Sequence, residues 1–298
     1  MKPLRKKFNA ASPYTDIDGM KDGEIVHLPT GTGVTKKQMM DAISSARVIY
    51  VSEQHDNIAA HETQLEIIRE LQARYPGKVA VGMEMFRRTV QPELDKLPQG
   101  KMSLPELNDL FDEQWTPAWR EAYQPVLDFI QQENITLVGL KPSTQTEAVV
   151  RSGGTGPDVP ELDMNDPYHR DRYLPFFAGD GSDPQGAERK YRMMVLWDEA
   201  MAETVANFLA DPANADKKLV VIAGEGHIGY GFGIPKRAYR RVPHDYSVVV
   251  PTIGQEPDAG IPLKLGDYAV KVPYDKPGTP PRPAPQKPQG KKPQGKKP

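Results

Sequence analysis

The chain contains no cysteine. That excludes disulfides, thiolate metal sites, a cysteine nucleophile and a lipidated cysteine in the sequence as written. Cysteine-free chains occur in every compartment, so nothing about the redox environment follows. No apolar run approaches the roughly 20 residues that a transmembrane helix needs. The start, MKPLRKKFNAASPYTD, is basic but leads into no apolar stretch, so it does not read as a signal peptide. A charge excess is missing as well: 38 Lys and Arg face 40 Asp and Glu, for a net charge of −2. A general nucleic-acid binder usually carries a basic excess, and this chain has none. There is no Gly-x-Ser-x-Gly elbow, and GTGVTKK at Gly31 follows no strand and fails the P-loop spacing.

Proline is abundant, and eight of the thirty sit in the C-terminal KPGTPPRPAPQKPQGKKPQGKKP. That segment has no apolar residue larger than alanine, so it cannot bury surface and reads as a disordered or polyproline-like tail. Elsewhere, short β-branched runs recur: Arg47 to Val51, Lys78 to Met85, Ile135 to Leu140, Lys218 to Gly224 and Tyr246 to Thr252. They lack clean alternation, as strands covered on both faces do. Between them lie helical patterns. Thr35 and Gln38 form a capping box. Leu65, Ile68 and Leu71 make one stripe, and Met193, Leu196, Trp197, Ala200, Met201, Val205 and Phe208 another. Strands alternating with helices predict an α/β fold, a parallel β-sheet flanked by helices.

Two stretches break the alternation, and both leave from the C-terminal ends of strands. They predict a smaller, mostly helical cap. The expected organisation is an N-terminal arm (1–20), an α/β core (21–85, 135–141 and 190–275), cap inserts (86–134 and 142–189) and the tail (276–298).

Ligands of open α/β sheets bind beyond the carboxyl ends of the strands. The residues there are Glu53 and His55 after the first strand, Glu84 after the second and Lys141 after the third. Glu225, His227 and Tyr230 follow the fourth, in GEGHIGYGFGIPKR. His61, on the helix after His55, is a further candidate. The Glu-x-His form occurs twice. Two carboxylates and two imidazoles at one point can bind a divalent metal such as Zn²⁺ or Mn²⁺, supply acid and base groups, or hold a carboxylate-bearing ligand. Gly229, Gly231 and Gly233 allow close backbone approach to a bulky ligand. Pro235 suits a helix start, whose N-terminus with Lys236 and Arg237 favours an anion. Blander readings stand beside these: Glu84 as a salt-bridge partner of Arg87 or Arg88, Lys141 as a solvated loop lysine, and Trp115, Trp119 and Tyr123 as cap core. His27, His169 and His244 read as surface or structural.

VIYVSEQHDNIAAHETQ, VGMEMFRRTVQPELD, QWTPAWREAYQPVLDFIQQENITLVGLK, RMMVLWDEAMAETVANFL and GEGHIGYGFGIPKR follow in order. Together they resemble the ChaN-like haem-binding family of the Tiki superfamily, from about Val34 to Arg241. The second Gly-x-x-His is intact at Gly224 to His227, whereas Ser52 replaces the glycine of the first. Lys141 stands where relatives usually carry Asn. The resemblance implies a parallel sheet with a small helical domain, and haem binding linked to bacterial iron acquisition. It implies haem held between two subunits, with Tyr230 as the ligand of ferric iron. Lys141, Lys236 and Arg237, with His55 or His227, become candidates for the propionates. A haem receptor or transporter would be a partner, and a periplasmic or cell-envelope location would fit if a leader were removed. The wider superfamily implies a rival: a metal-dependent hydrolase with His55, His227 and Glu84 on the metal, and Glu53 or Glu225 activating water.

Overall fold

In the computed structural model, residues 16–17, 19–179, 181–252, 261–262 and 264–276 are described. The five apolar runs all form strands: β4 (Val48–Glu53), β5 (Val79–Arg87), β6 (Thr136–Lys141), β7 (Lys218–Gly224) and β8 (Tyr246–Thr252). Three more join their sheet: β2 (Ile25–His27), β3 (Thr32–Val34) and β10 (Tyr268–Lys271). The order is β3-β2-β10-β8-β4-β7-β5-β6, parallel from β10 to β6, with β2 and β3 antiparallel at one edge. A separate antiparallel ladder pairs β1 (Asp16–Ile17) with β9 (Ile261–Pro262). The predicted tail, from residue 277 onward, and most of the predicted N-terminal arm lie outside the described residues.

Among the described residues, ten helices flank the sheet: α1 (Lys36–Ile43), α2 (Ile58–Arg74), α3 (Gln91–Leu94), α4 (Leu104–Gln114), α5 (Arg120–Gln132), α6 (Thr144–Arg151), α7 (Pro167–Ala178), α8 (Pro184–Ala210), α9 (Glu225–Ile228) and α10 (Ile234–Arg241). The Thr35–Gln38 capping box starts α1. Side chains alternate across each strand, so each strand feeds two cores. Ile49, Val51, Val220, Ile222, Val81 and Met83 pack with α1, α2, α4 and α5. Val48, Tyr50, Leu219 and Val221 pack with α8 and α10 on the other face.

The two inserts therefore do not make one cap body, contrary to the sequence expectation. Leu107, Phe111, Tyr123 and Leu127 of the first insert complete the core on the α2 face. Tyr173 of the second packs on Tyr191, Met194 and Val195 of α8. The inserts approach one another at the rim, where Arg88 Nη2 donates to Asp158 O at 3.4 Å. Their apolar residues fall in separate clusters, the first insert's with the sheet on the α2 face and the second's on α8.

The outer edge of β6 is sealed by a side chain. Gln91 Nε2 donates to Leu137 O at 3.0 Å, while Gly139 N–H donates to Gln91 Oε1 at 2.9 Å. One amide thus stands in for a neighbouring strand, which blunts the pairing hazard of an open edge.

Candidate functional site

Strand order creates the site. β4 and β7 are neighbours, and Glu53 lies in register with Gly224, so the two Glu-x-His segments leave the sheet at one level. β5 lies beside β7 and β6 beside β5, which brings Glu84 and Lys141 to the same end.

Each imidazole is held by a buried carboxylate, from opposite faces of the sheet. His55 Nδ1 lies 2.7 Å from Glu53 Oε1, and Glu53 is fully buried on the α2 side. Tyr123 donates to that same oxygen, and Gln64 Nε2 donates to Glu53 Oε2 at 2.8 Å. His227 Nδ1 lies 2.6 Å from Oδ1 of Asp198, a fully buried residue of α8. Asp198 Oδ2 meets His169 Nε2 at 2.8 Å, and His169 Nδ1 meets the Tyr191 hydroxyl at 2.9 Å. Such backing fixes ring orientation and leaves Nε2 for other work.

Glu84 lies between them. Its Oε2 accepts from Gly224 N–H at 2.9 Å, and its Oε1 is 3.6 Å from His227 Nε2. It is not the partner of Arg87 or Arg88, which pair with Glu147 and Glu203. Nor is Lys141 a solvated loop lysine. Its ammonium lies 4.4 Å from the ring centre of Trp115 and 5.2 Å from that of Trp197, an arrangement that stabilises a partly desolvated cation. Trp119 stacks on His55 at 5.5 Å and 16°. All three tryptophans of the chain thus frame this inner pocket, although Trp115 and Trp119 also pack on the α2-side core.

Charge follows the geometry. Burial pulls the His55 imidazolium down, but the hydrogen bond and charge of Glu53 outweigh it, and its pKa rises to about 9. His227 is raised against burial by Glu84 and Asp198. Burial works to raise Asp198, yet the charge of His227 and hydrogen bonds from both histidines hold it at about 2. Burial lowers Lys141, with Glu84 and Glu147 opposing. A stability consequence follows. The His55 contribution is complete below its unfolded pKa near 6.5 and is lost as pH rises through about 9. That interval is worth on the order of 3 kcal/mol at about 1.36 kcal/mol per unit, less what solvent screens. Denaturation midpoints should therefore fall from about pH 6.5 to about pH 9.5, and His55→Gln should flatten the fall. A profile equally steep in the variant would show that His55 is not its source.

Several sequence candidates serve other purposes. His61 is buried behind Glu53, with Nδ1 3.3 Å from Glu53 Oε2, so it braces the carboxylate and does not face the mouth. Glu53 likewise orients His55 from beneath. Arg237 is corrected: only 2% exposed, it is held at 3.0 Å by Glu199, which also takes Arg240 and Arg241. It locks α10 to α8 and cannot reach an external anion. Gly233 also has an internal reason, since a Cβ there would come within 2.2 Å of His227 O. The divalent-metal alternative finds no support, because among the described residues no three His, Asp or Glu side chains are placed to hold a metal ion. One Glu84 oxygen is already spent on Gly224 N–H, and Lys141 sits nearby as an opposing charge.

Tyr230 lies on an outer face. Its φ of 61° is a left-handed conformation, held by its N–H donating to Leu265 O at 2.7 Å. Its ring stacks on Phe232 at 5.8 Å, and Phe232 stacks on Tyr168 at 5.7 Å. Arg172 lies 4.8 Å from the Tyr230 ring centre, and Lys236, paired with Asp166 at 2.6 Å, lies 5.4 Å from that of Tyr168. Tyr168 and Phe176 are 64% and 80% exposed. The Tyr230 hydroxyl has no hydrogen-bond partner among the described residues. Glu225, which accepts from Gln54 Nε2 at 3.1 Å, stands between this face and the inner pocket.

The sequence reading missed Asp198, Arg172, Tyr168 and Phe232, while His169, read as surface or structural, is a buried brace of Asp198. Asp198 left a signal: it falls at helical spacing among the buried Met194, Met201, Val205 and Phe208. An acid in such a stripe needs a partner.

Residues 39–238 match the family described as haem-binding uptake, Tiki superfamily, ChaN. The chain belongs to that family. ChaN of Campylobacter jejuni, whose solved structure shows cofacial haem binding, is 18% identical. It superposes with a TM-score of 0.69 over 85% of this chain and 98% of that one. RETICULATA-RELATED 5, a chloroplastic protein of Arabidopsis thaliana, is 22% identical over 252 residues. That match takes in 77% of this ChaN-family chain but only 34% of the plant protein, so the chain spans about a third of that relative. Haem fits the residues present. The outer face offers stacked rings for a flat macrocycle, an uncommitted phenol for iron and two cations for propionates. Among the described residues no helix is long and apolar enough to cross a membrane.

Proposed function

We propose that this protein binds ferric haem on the face formed by Tyr168, Tyr230 and Phe232, with the Tyr230 phenolate as axial ligand, in the service of bacterial haem uptake. The uncommitted Tyr230 hydroxyl at one end of the stacked row Tyr230, Phe232 and Tyr168 carries the reading. When bound, haem supplies a ferric centre that prefers a hard oxygen donor, and tyrosine ligation of haem iron has precedent. The chain's own residues do the rest. Phe232 fixes the ring plane of Tyr230, and the hydrogen bond from Tyr230 N–H to Leu265 O fixes its backbone. Arg172 and Lys236 replace Arg237 as the cations beside the propionates, with Lys141, His55 and His227 deeper in the pocket.

A shallow face covers one side of a macrocycle, so a second copy closes the other. The exposed Phe176 and Tyr168 of α7 supply apolar surface for that contact. Hemin should therefore convert monomer to dimer in sedimentation at fixed protein concentration. A haem-loaded species that stays monomeric would rule out closure by a second copy. A receptor or transporter that exchanges haem with this protein completes the proposal.

A further inference from the structure

Where α6 ends against α8, a cavity of about 410 Å³ is lined by Arg151, Arg189, Lys190 and Arg192, with Val150 and Met193 as an apolar wall. Among the described residues no acid lines it. We propose that this cavity binds a phosphate-bearing anion with more than one negative charge, at a site separate from the haem face. That face is built by α7 and the loop of Tyr230 and Phe232, none of which lines the cavity. Elsewhere on the molecule arginines are spent on acids: Arg74 on Asp41 and Glu70, Arg88 on Glu203, Arg170 on Glu188. Here they are not. Arg151 and Lys190 have no ion pair, hydrogen bond or ring contact among the described residues. Arg189 keeps one surface pair, with Asp183 at 3.6 Å. Arg192 reaches only a carbonyl, with Nη2 3.4 Å from Gly154 O, and its Nε is buried without a hydrogen-bond partner among the described residues. A charged donor closed off from water is costly unless an acceptor meets it. Cations that share a concavity also repel one another, more strongly where less water screens them. An anion seated among them relieves both costs.

The chain also prepares the end of α6. A helix C-terminus is the negative end of its dipole, and its free carbonyls would repel an anion. The turn Ser152-Gly153-Gly154 takes those carbonyls up. Ser152 N–H donates to Ala148 O at 3.1 Å, while Gly153 N–H donates to Val150 O and Gly154 N–H to Val149 O, both at 2.9 Å. Ser152 Oγ adds a second hydrogen bond to Val149 O at 2.8 Å. Gly153 turns with a φ of 82°, a left-handed conformation that a side chain would strain. The cavity therefore presents guanidinium and ammonium groups with the helix carbonyls already satisfied. Guanidinium forks match the oxygens of phosphate, and four cations answer more negative charge than one carboxylate carries. A soluble diphosphate and a lipid phosphate headgroup share this chemistry.

The test uses the full chain without added haem, titrated calorimetrically with sodium pyrophosphate and sedimented with vesicles of phosphatidylcholine, with and without phosphatidic acid. Saturable binding of pyrophosphate identifies a soluble ligand, and pelleting that requires phosphatidic acid identifies a headgroup. In whichever arm binds, Arg192→Gln and Arg151→Gln should each weaken binding about tenfold. Lys101→Gln, which removes one charge from an exposed lysine that does not line the cavity, should change it less than about twofold. A melting curve of each variant confirms that it is folded. Absence of saturable binding in both arms would overturn the proposal. So would an equal loss in Lys101→Gln, which would reduce the effect to net charge, or citrate binding as tightly as pyrophosphate.

Discussion

Replacing Tyr230 with phenylalanine should remove the ferric-tyrosinate charge-transfer band of the hemin-loaded protein and weaken hemin binding at least tenfold. Tenfold corresponds to about 1.4 kcal/mol, a modest share of a metal–ligand bond. The substitution isolates that bond. Phenylalanine keeps the ring that stacks on Phe232 and keeps the backbone hydrogen bond to Leu265, while the lost hydroxyl had no partner among the described residues. Folding stability should therefore stay within about 0.5 kcal/mol of the parent, as for substitutions away from buried features. An unchanged spectrum in a folded variant would assign the iron to another ligand.

Asp198→Ala should destabilise the fold by about 3–5 kcal/mol, the cost of removing one member of a buried charged pair. Asp198 is fully buried and bonded at once to His227 and His169, so alanine strands two imidazoles inside the protein. Asp198→Asn should fall between, since its carbonyl oxygen still accepts one hydrogen bond but its charge is gone. The sign of the pH dependence is fixed by the depressed pKa. The Asp198 contribution is present above its unfolded value of 3.8 and is lost as pH falls toward about 2. Urea midpoints of the parent and both variants at about pH 7 and about pH 3 would measure this. Equal midpoints at neutral pH would mean that Asp198 does not hold the two histidines in place.

Sequence alone determined the layered α/β class, the five main strands and their mouth residues. Apolar β-branched runs bounded by turns are local signals, and the chemistry at a strand end is carried by the residues that follow it. His55, His227, Glu84 and Lys141 were legible for that reason, and they do meet. Tertiary structure alone decided what holds each of them. Placing β4 beside β7 depends on pairing segments about 170 residues apart, which no local period encodes. The same is true of Asp198 and Glu199. Glu199 looks like the polar side of a surface helix until α8 is packed on the sheet with α10 across it, which commits Arg237 to it. The apolar stripe that holds Asp198 names no partner until His227 and His169 are brought to it. The inserts went to different clusters because hydrophobic burial is won wherever apolar surface is offered, by the sheet core for the first and by α8 for the second, and those surfaces exist only once these elements have packed.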